Sequence, residues 1–247
     1  MDDLKIFIVS NKIVPFVKTD GYVPILVGAG SKEALPGMYS DAGAKDNISA
    51  KNPYYCELTA LYYMWKNIPL PKYVGMCHYR RYFKFKDGPV TDLATDSNPK
   101  YALELMKDTD IIMLKPRKEE ISEIVAYSTV HPVRYMFQCY NVLKRLYPEY
   151  EKDFFAVVEG KSMSDCNMFV TRREIFTDYM EWLFRILFML EKEIEYPGDP
   201  FQDRVMGFLA ERLMNAYVRH HKFRVNTRPF YVLNHLSLPN STPLPEK

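Results

Sequence analysis

The apolar and polar positions along the chain alternate in a pattern that predicts strands separated by helices. Short runs rich in β-branched and aromatic residues, each closed by a polar or Gly/Pro-containing segment, predict buried strands. These runs lie at 4–9, 22–27, 72–77, 109–114, 165–170 and 223–233. Apolar residues at helical spacing predict helices at 54–66, 99–107, 174–194 and 201–219. Strands that alternate with helices favour a largely parallel sheet.

The chain of 247 residues is long enough to bury a substantial core. It contains no internal repeat, low-complexity tract or long linker, and we therefore predict one domain. Its expected fold class is α/β, with a Rossmann-type, mostly parallel central sheet flanked by helices over residues 1–236. Residues 237–247 contain three prolines and are expected to form a tail that packs little.

The composition limits the kinds of molecule that the protein can bind and the compartment in which we expect it. A formal net charge of +2 excludes the broad basic surface of a non-specific nucleic-acid-binding protein. The four cysteines lack CxxC spacing, which indicates neither a disulfide framework nor a structural metal site and favours a reducing compartment. The first residues lack the basic start of a secretory signal, and no run approaches the roughly 18 apolar residues of a membrane span. We therefore expect a cytoplasmic protein that at most associates peripherally with a membrane.

The segment 72–83 carries the clearest candidate chemistry. Its apolar, strand-like run ends in His78, Tyr79, Arg80 and Arg81. Ligands of open α/β sheets bind outside the carboxyl ends of the strands, and guanidinium groups bind phosphates through paired donors. The segment is therefore either a phosphate site at a strand end or a basic, solvated edge hairpin.

Four segments together resemble a known protein family. They are KNPYYCELTA at 51–60, YVGMCHYRRYF at 73–83, CNMF at 166–169 and GFLAERL at 207–213, and the resemblance extends over residues 5–232. The family comprises bacterial capsular and exopolysaccharide glycosyltransferases that were long known only as a domain of unknown function. The His-Tyr-Arg-Arg-Tyr segment is its most specific element.

This resemblance implies a GT-A-like fold and a hexosyltransferase. We expect the transfer to invert the anomeric centre, and a retaining transfer stays an open alternative. The implied donor is a UDP-sugar, with galactofuranose among the candidate sugars. The implied acceptor is a lipid-linked oligosaccharide or polysaccharide of capsule, O-antigen or exopolysaccharide synthesis, which places the enzyme at the inner face of the plasma membrane. GT-A enzymes normally hold a metal ion through an Asp-x-Asp segment, whereas the corresponding strand here ends in His78, Tyr79, Arg80 and Arg81. We therefore expect no required cofactor, and Mn²⁺ or Mg²⁺ dependence stays an open alternative.

The residue chemistry and the resemblance together give candidate roles at the donor side. Arg80 or Arg81 would stabilise the departing diphosphate, and only one need face it because neighbours on an extended segment point to opposite sides. Glu57 would orient one of these guanidinium groups, or it is an ordinary helical carboxylate. The further donor-binding candidates are Asn11, Lys12, Asp46, Asn47, Asn52, His78 and Tyr79. The Asx residues among them are also common turn formers, and His78 is alternatively a hydrogen-bonded core histidine.

The acceptor-side candidates lie in the second half of the chain. Asn167 would hold a sugar hydroxyl through its amide, or it caps a strand end. The remaining candidates for acceptor binding are Asp165, Asp199 and Arg204.

Glu211 is the leading candidate for the general base of the transfer. It shares a helix face with Gly207, a residue that is unfavourable within a helix and therefore indicates close approach by backbone or ligand. The alternative is that Glu211 is an ion-pair partner of an Arg. Asp199 and Asp203 are rival bases.

A rival interpretation is a non-catalytic subunit that binds a nucleotide sugar or saccharide for a partner transferase. The missing Asp-x-Asp segment is the observation that favours it. Turnover of a nucleotide sugar would distinguish the enzyme from the binding subunit.

Overall fold

The structure is a computed structural model that describes residues 2–28 and 33–233. The expected tail at 237–247 and the last residues of the expected domain, 234–236, lie outside the described residues.

The elements alternate along the chain broadly as the apolar pattern predicts. The strands are β1 (Leu4–Ser10), β2 (Tyr22–Leu26), β3 (Tyr39–Ser40), β4 (Tyr73–His78), β5 (Arg81–Phe83), β6 (Ile111–Leu114), β7 (Arg117–Lys118), β8 (Ser162–Met163), β9 (Phe169–Arg172), β10 (Val225–Arg228) and β11 (Phe230–Val232). The helices are α1 (Asn52–Tyr55), α2 (Leu58–Asn67), α3 (Leu93–Asp96), α4 (Pro99–Leu105), α5 (Glu123–Ser128), α6 (Arg134–Leu146), α7 (Glu151–Val158), α8 (Arg173–Leu190) and α9 (Val205–His220). Short 3-10 turns lie at Ser49–Lys51, Pro148–Tyr150 and Gln202–Arg204.

The main sheet has the strand order β10-β6-β9-β4-β1-β2-β3. Every neighbouring pair in this order is parallel except the two pairs that involve β9, which runs antiparallel to both β4 and β6. The expected α/β fold with a mostly parallel central sheet is therefore confirmed. Because β9 is reversed, its first residues lie at the same edge as the carboxyl ends of β1 and β4. This edge collects the polar residues described below.

Both faces of the sheet are buried, which explains why its strands are nearly continuous apolar runs. Alternate residues of β1 point to opposite faces: Phe7 and Val9 join a core with α2, α6, α8 and α9, and Ile6 and Ile8 join a second core with α4 and β5. With these layers on both sides, only the ends of the strands are open to a ligand.

The reversed strand is shorter than the predicted run at 165–170 and begins later. Residues 165–168 form the turn before β9, with Cys166 at φ 70° and Asn167 at φ 51°. The run contains apolar residues on both sides of this turn, so hydrophobicity alone did not locate it. The predicted helix at 54–66 is likewise two helices, because Cys56, at φ 51°, separates α1 from α2.

No helix within residues 2–28 and 33–233 is long and apolar enough to cross a membrane.

Candidate active site

A cavity of about 570 Å³ opens at the carboxyl edge of β1, β2 and β4. The short turn between β4 and β5 forms one wall, and the segments around α1 and the start of α9 form the other walls. Nine of the predicted site residues line this cavity: Asn11, Asn52, Glu57, His78, Tyr79, Arg80, Arg81, Asp203 and Arg204. Two of the four segments that carry the family resemblance, 51–60 and 73–83, therefore meet at this cavity although they are separate along the chain.

The cavity contains an excess of positive charge. The guanidinium groups of Arg80, Arg81 and Arg204 line it together with two carboxylates, Glu57 and Asp203. None of the three guanidinium groups forms an ion pair with a carboxylate of the described residues. The Arg80 group lies 5.2 Å from the centre of the Tyr79 ring. Both arginines of the hairpin face the same cavity because Arg80 lies in the turn and only Arg81 is on a strand.

His78 makes the hydrogen bond expected of a core histidine and also lines the cavity, and its role towards a donor stays a prediction. Its Nε2 donates to the backbone carbonyl of Cys166 at 2.8 Å, which joins the end of β4 to the turn before β9. Burial is the largest influence on this imidazole and lowers its pKa. The ring is therefore neutral at neutral pH, and because Nε2 carries the proton, Nδ1 is a hydrogen-bond acceptor. In this state His78 can accept a hydrogen bond from a ligand hydroxyl in the cavity.

Asn167 forms the wall behind Glu57 and does not line the cavity. Its side chain is buried, and its Nδ2 donates to Glu57 Oε1 at 2.7 Å and to the carbonyl of Gly207 at 3.2 Å. These contacts join the start of α2, the turn before β9 and the first turn of α9. Glu57 is oriented by this amide instead of pairing with Arg80 or Arg81.

Gly207, within α9, allows the Cys56 side chain to approach the helix closely, as a glycine inside a helix indicates. A Cβ at this position would lie 3.3 Å from Cys56 Sγ. The same sulfur accepts from Arg204 Nε at 3.3 Å, and burial raises the pKa of the Cys56 thiol to about 12. Cys56 is therefore a neutral thiol that packs between α1 and α9 and lines the cavity.

Asp41, which was not among the predicted site residues, joins segments that lie next to the cavity. Its carboxylate is fully buried and accepts from the backbone N–H of Gly28 at 3.1 Å, from Ser49 Oγ at 2.5 Å and from Thr59 Oγ1 at 2.6 Å. Asn52 lies directly against Gly28, where an added Cβ would come within 2.3 Å of Asn52 Oδ1. Asp41 therefore fixes the end of β2 and the start of α2.

Glu211 lies behind the cavity wall, and each of its two carboxylate oxygens accepts a hydrogen bond. Oε1 accepts from the backbone N–H of Cys166 at 2.7 Å, and Oε2 accepts from Arg212 Nη1 at 2.9 Å. Burial outweighs the attraction of Arg212 and raises the pKa of Glu211 to about 7. The carboxyl thus has the proton affinity of a base that works near neutral pH, and it is also the ion-pair partner considered as the alternative.

Several predicted site residues lie outside this cavity. Asp46 accepts from the Tyr62 hydroxyl at 2.9 Å, and Asn47 forms a turn through Ala44 and Ser49. Asn47 thus forms the local turn contacts that the Asx chemistry allowed, whereas the Asp46 carboxylate contacts a residue of α2.

Three more predicted residues are not among those that line the cavity. Lys12 is exposed beyond the end of β1, where its backbone contacts Ser10 Oγ. Asp165 pairs with Arg117 Nε at 3.0 Å. Asp199 accepts from the backbone N–H groups of Phe201 and Gln202 and thereby caps the 3-10 turn before α9.

The part of the chain that the structure describes contains no group of three or more His, Cys, Asp or Glu side chains placed to hold a metal ion. The expectation of metal independence stays a prediction.

A known protein family matches most of this chain. The profile of the family described as "Domain of unknown function (DUF4422)" matches residues 5–222. The chain belongs to this family. The expected membership of a family known as a domain of unknown function is confirmed. A search of curated protein sequences finds no match.

One solved structure resembles this chain over nearly its whole length. The chain is similar to the apo structure of the WbbM bifunctional glycosyltransferase, with a TM-score of 0.87 and 29% sequence identity. The match covers 96% of this chain and 46% of the WbbM chain, so this DUF4422 protein spans about half the length of that relative. The two share one fold over the matched region.

Two structures of the mannosyltransferase Ktr4p from S. cerevisiae also match, one of them in complex with GDP. Their TM-scores are 0.33 and 0.34, with 11% and 10% identity. They cover 85% of this chain and 66% and 67% of the Ktr4p chains. Similarity at this level supports no inference about the DUF4422 chain.

We predict that Asp41→Asn destabilises the protein, because an amide cannot accept all three hydrogen bonds that the buried carboxylate accepts. The expected loss in the free energy of unfolding is about 1–3 kcal/mol, the cost of an unsatisfied buried group. Urea denaturation measures it. Asp46→Asn is the matched control, since Asp46 is exposed, and it should change stability by less than about 0.5 kcal/mol. Equal stability of the two variants would contradict the role given to Asp41.

We predict that Glu211 gives stability a distinct pH dependence. Because its pKa rises from 4.5 to about 7 on folding, the native state keeps a proton that the unfolded chain loses between these values. This carboxyl therefore makes the free energy of unfolding fall as the pH rises through that window. The groups that set this pKa include Arg212, Asp165 and Glu57.

Urea denaturation of wild type and Glu211→Gln across this pH range isolates the contribution of the carboxyl. The difference between the two curves should contain the fall, because glutamine does not titrate. Glu181→Gln, at an exposed position on α8, is the control and should keep the wild-type curve. An unchanged pH dependence in Glu211→Gln would show that the carboxyl is ionised throughout.

Proposed function

We propose that this DUF4422 protein is a glycosyltransferase that moves a sugar from a nucleoside diphosphate donor to a saccharide acceptor. The observation that carries the proposal is a set of three guanidinium groups, Arg80, Arg81 and Arg204, which have no carboxylate partner among the described residues. They lie at the carboxyl edge of a sheet whose fold matches part of WbbM. Ligands of such sheets bind at this edge, and an unpaired cationic cluster favours an anionic ligand.

The donor diphosphate would lie against the turn between β4 and β5. Three guanidinium groups face two carboxylates there, so the lining carries a net positive charge that suits a diphosphate. The family resemblance supports a UDP-sugar, with galactofuranose among the candidate sugars. The neutral His78 supplies an acceptor for a hydroxyl of the ribose or sugar.

The proposed reaction is a direct displacement at the anomeric carbon. The acceptor hydroxyl attacks that carbon, the bond to the donor phosphate oxygen breaks, and the diphosphate leaves with the electron pair. Arg80 and Arg81 would stabilise the charge that develops on the leaving group without requiring a metal ion. The hydroxyl proton passes to a carboxylate, and inversion follows from a single displacement.

Glu211 is our first choice for the base. Its raised pKa suits proton transfer near neutral pH, and the hydrogen bond from Cys166 keeps it just behind the cavity. To accept a proton from the acceptor, it must exchange one of its present contacts for the hydroxyl. Asp203, which lines the cavity, is the rival, and Asp199 is committed to its cap.

The acceptor proposed from the resemblance is a lipid-linked saccharide of capsule, O-antigen or exopolysaccharide synthesis, and it would bring the enzyme to a membrane surface. The rival function, a non-catalytic binding subunit, draws support from one observation. Both oxygens of Glu211 are already occupied by protein groups.

We predict that UDP-sugars bind selectively and are turned over without a metal ion. A thermal-shift panel of UDP-, GDP- and dTDP-sugars should give its largest rise in melting temperature with a UDP-sugar, because a ligand that binds only the native state stabilises it. Slow hydrolysis of that sugar without acceptor should persist in excess EDTA. Binding without hydrolysis or transfer would support the non-catalytic subunit, and loss of turnover in EDTA that Mn²⁺ restores would refute metal independence.

We predict that Arg81 and Glu211 affect different steps. Arg81→Ala should weaken donor binding and lower turnover, because the charge on the diphosphate is present in the ground state and grows in the transition state. Glu211→Gln should spare donor binding and lower turnover by about two to four powers of ten.

Calorimetry with UDP and initial transfer rates separate the two effects. Arg185→Ala, which removes an exposed arginine on α8, is the control for total charge and should change neither quantity. Near wild-type turnover in folded Glu211→Gln would assign that carboxylate to structure and move the role of base to Asp203.

A further inference from the structure

A second cavity, of about 320 Å³, lies beside the first. It is formed by β7, the segment that follows it, and α5, with α9 as its floor. The polar side chains that line it include Arg117, Glu119, Glu123, Tyr127 and Arg212. Its volume is near the lower end of the range of about 300–1,000 Å³ typical of small-molecule sites.

The two cavities share a thin wall. The His131 ring lines the second cavity and lies 4.1 Å from the Phe208 ring, centre to centre. Arg204, which lines the first cavity, lies 5.3 Å from the centre of the same Phe208 ring. One aromatic side chain therefore separates the His131 side from the Arg204 side.

A chain of hydrogen bonds crosses the same wall beside Phe208. Arg212, in the second cavity, donates to Glu211 at 2.9 Å, and Glu211 accepts from the Cys166 N–H at 2.7 Å. The carbonyl of Cys166 accepts from His78, which lines the first cavity, at 2.8 Å. The candidate base thus lies between the two cavities.

The charges in the second cavity are balanced, unlike those in the first. Arg117 pairs with Glu119 and Glu123, and Arg212 pairs with Glu123. Burial lowers the pKa of His131, so this ring adds no charge at neutral pH. A lining of two guanidinium groups and two carboxylates offers donors and acceptors without net charge, which suits a neutral ligand with many hydroxyl groups and not an anion.

The lining also contains polar groups without partners. The hydroxyl of Tyr127, a residue only 2% exposed, makes no hydrogen bond to the described residues, and neither does Nε of Arg212. Native proteins leave few buried polar groups unsatisfied. Neither atom is exposed to the cavity in its present rotamer, so each would gain a partner only if its side chain turned towards a ligand. The rings of Tyr127 and His131, whose centres are 4.8 Å apart, add an aromatic surface.

We propose that the second cavity is the subsite for the saccharide acceptor. This inference rests on the proposed transferase function and adds to it the position of the acceptor. A sugar ring held among Glu119, Arg117 and the Tyr127 and His131 rings would lie on the other side of Phe208 and Glu211 from the donor. Its hydroxyl reaches the anomeric carbon in the first cavity only when the Phe208 side chain turns out of the shared wall. Asp165, expected from the sequence to serve the acceptor, then acts indirectly by holding Arg117.

Filling the cavity with a large side chain tests this proposal. Thr129 is exposed at the end of α5 and lines the cavity, whereas its neighbour Ser128 is equally exposed and does not. Thr129→Trp should weaken saccharide binding at least tenfold, and Ser128→Trp should leave it unchanged. The probes are the methyl glycosides of galactose, glucose, mannose and N-acetylglucosamine, titrated with UDP present and followed by saturation-transfer NMR.

A second pair of variants tests the chemistry of the lining. Glu119→Gln keeps the shape and removes the charge of a half-buried cavity carboxylate, and Glu120→Gln does the same at the next, exposed position. The first should weaken the best-bound glycoside at least threefold and the second should not. UDP affinity, measured by calorimetry, should match wild type in all four variants.

The outcomes separate this inference from the proposed function. Failure of wild type to bind UDP would contradict the transferase itself. UDP binding with no bound glycoside, or glycoside binding that Thr129→Trp and Glu119→Gln leave unchanged, would overturn the acceptor subsite alone.

Discussion

The hydrogen bond from His78 Nε2 to the carbonyl of Cys166 is the contact on which the rest of the site depends. It fastens the end of β4 to the left-handed turn before the reversed strand β9. The same turn presents Asn167 to Glu57 and the Cys166 N–H to Glu211. Helices α2 and α9 are thereby held at fixed positions relative to the end of the central strand. The cavity is the space that this junction leaves open.

The residues behind the cavity wall and those that line the first cavity differ in how their charges are paired. Carboxylates behind the wall are paired, as Asp165 is with Arg117 and Glu123 is with Arg212, and Asp41 is held by neutral donors. The guanidinium groups of the first cavity are left without carboxylate partners among the described residues. Unpaired charges near a protein surface attract ligands of opposite sign, so this asymmetry favours an anion on one side and a neutral polyhydroxyl ligand on the other.

The sequence predicted the parts of the fold and site that depend on local pattern. The apolar runs located β1, β2, β4 and β6, and the cationic block after β4 was correctly expected at a strand end. The rest depends on contacts between residues far apart in the chain. The break at Cys56 and the late start of β9 both need a residue in the left-handed region, and no glycine marks either position.

The supporting carboxylates were harder to find for the same reason. Asp41 is one of several Asx residues in a polar stretch, and only its three donors, from the segment after β2, a 3-10 turn and α2, distinguish it from Asp46. Similarly, Asp165 is an ordinary acidic residue until Arg117, 48 positions away in sequence, pairs with it. Side-chain chemistry identified the candidates, but tertiary contacts decide which of them face a ligand.

A crystal structure of the protein with bound UDP tests the central claim most directly. The account predicts that the nucleotide occupies the cavity at the ends of β1 and β4, with diphosphate oxygens within hydrogen-bonding distance of the Arg80, Arg81 or Arg204 guanidinium groups. A nucleotide bound elsewhere on the protein, or bound in this cavity with its diphosphate remote from all three arginines, would contradict it.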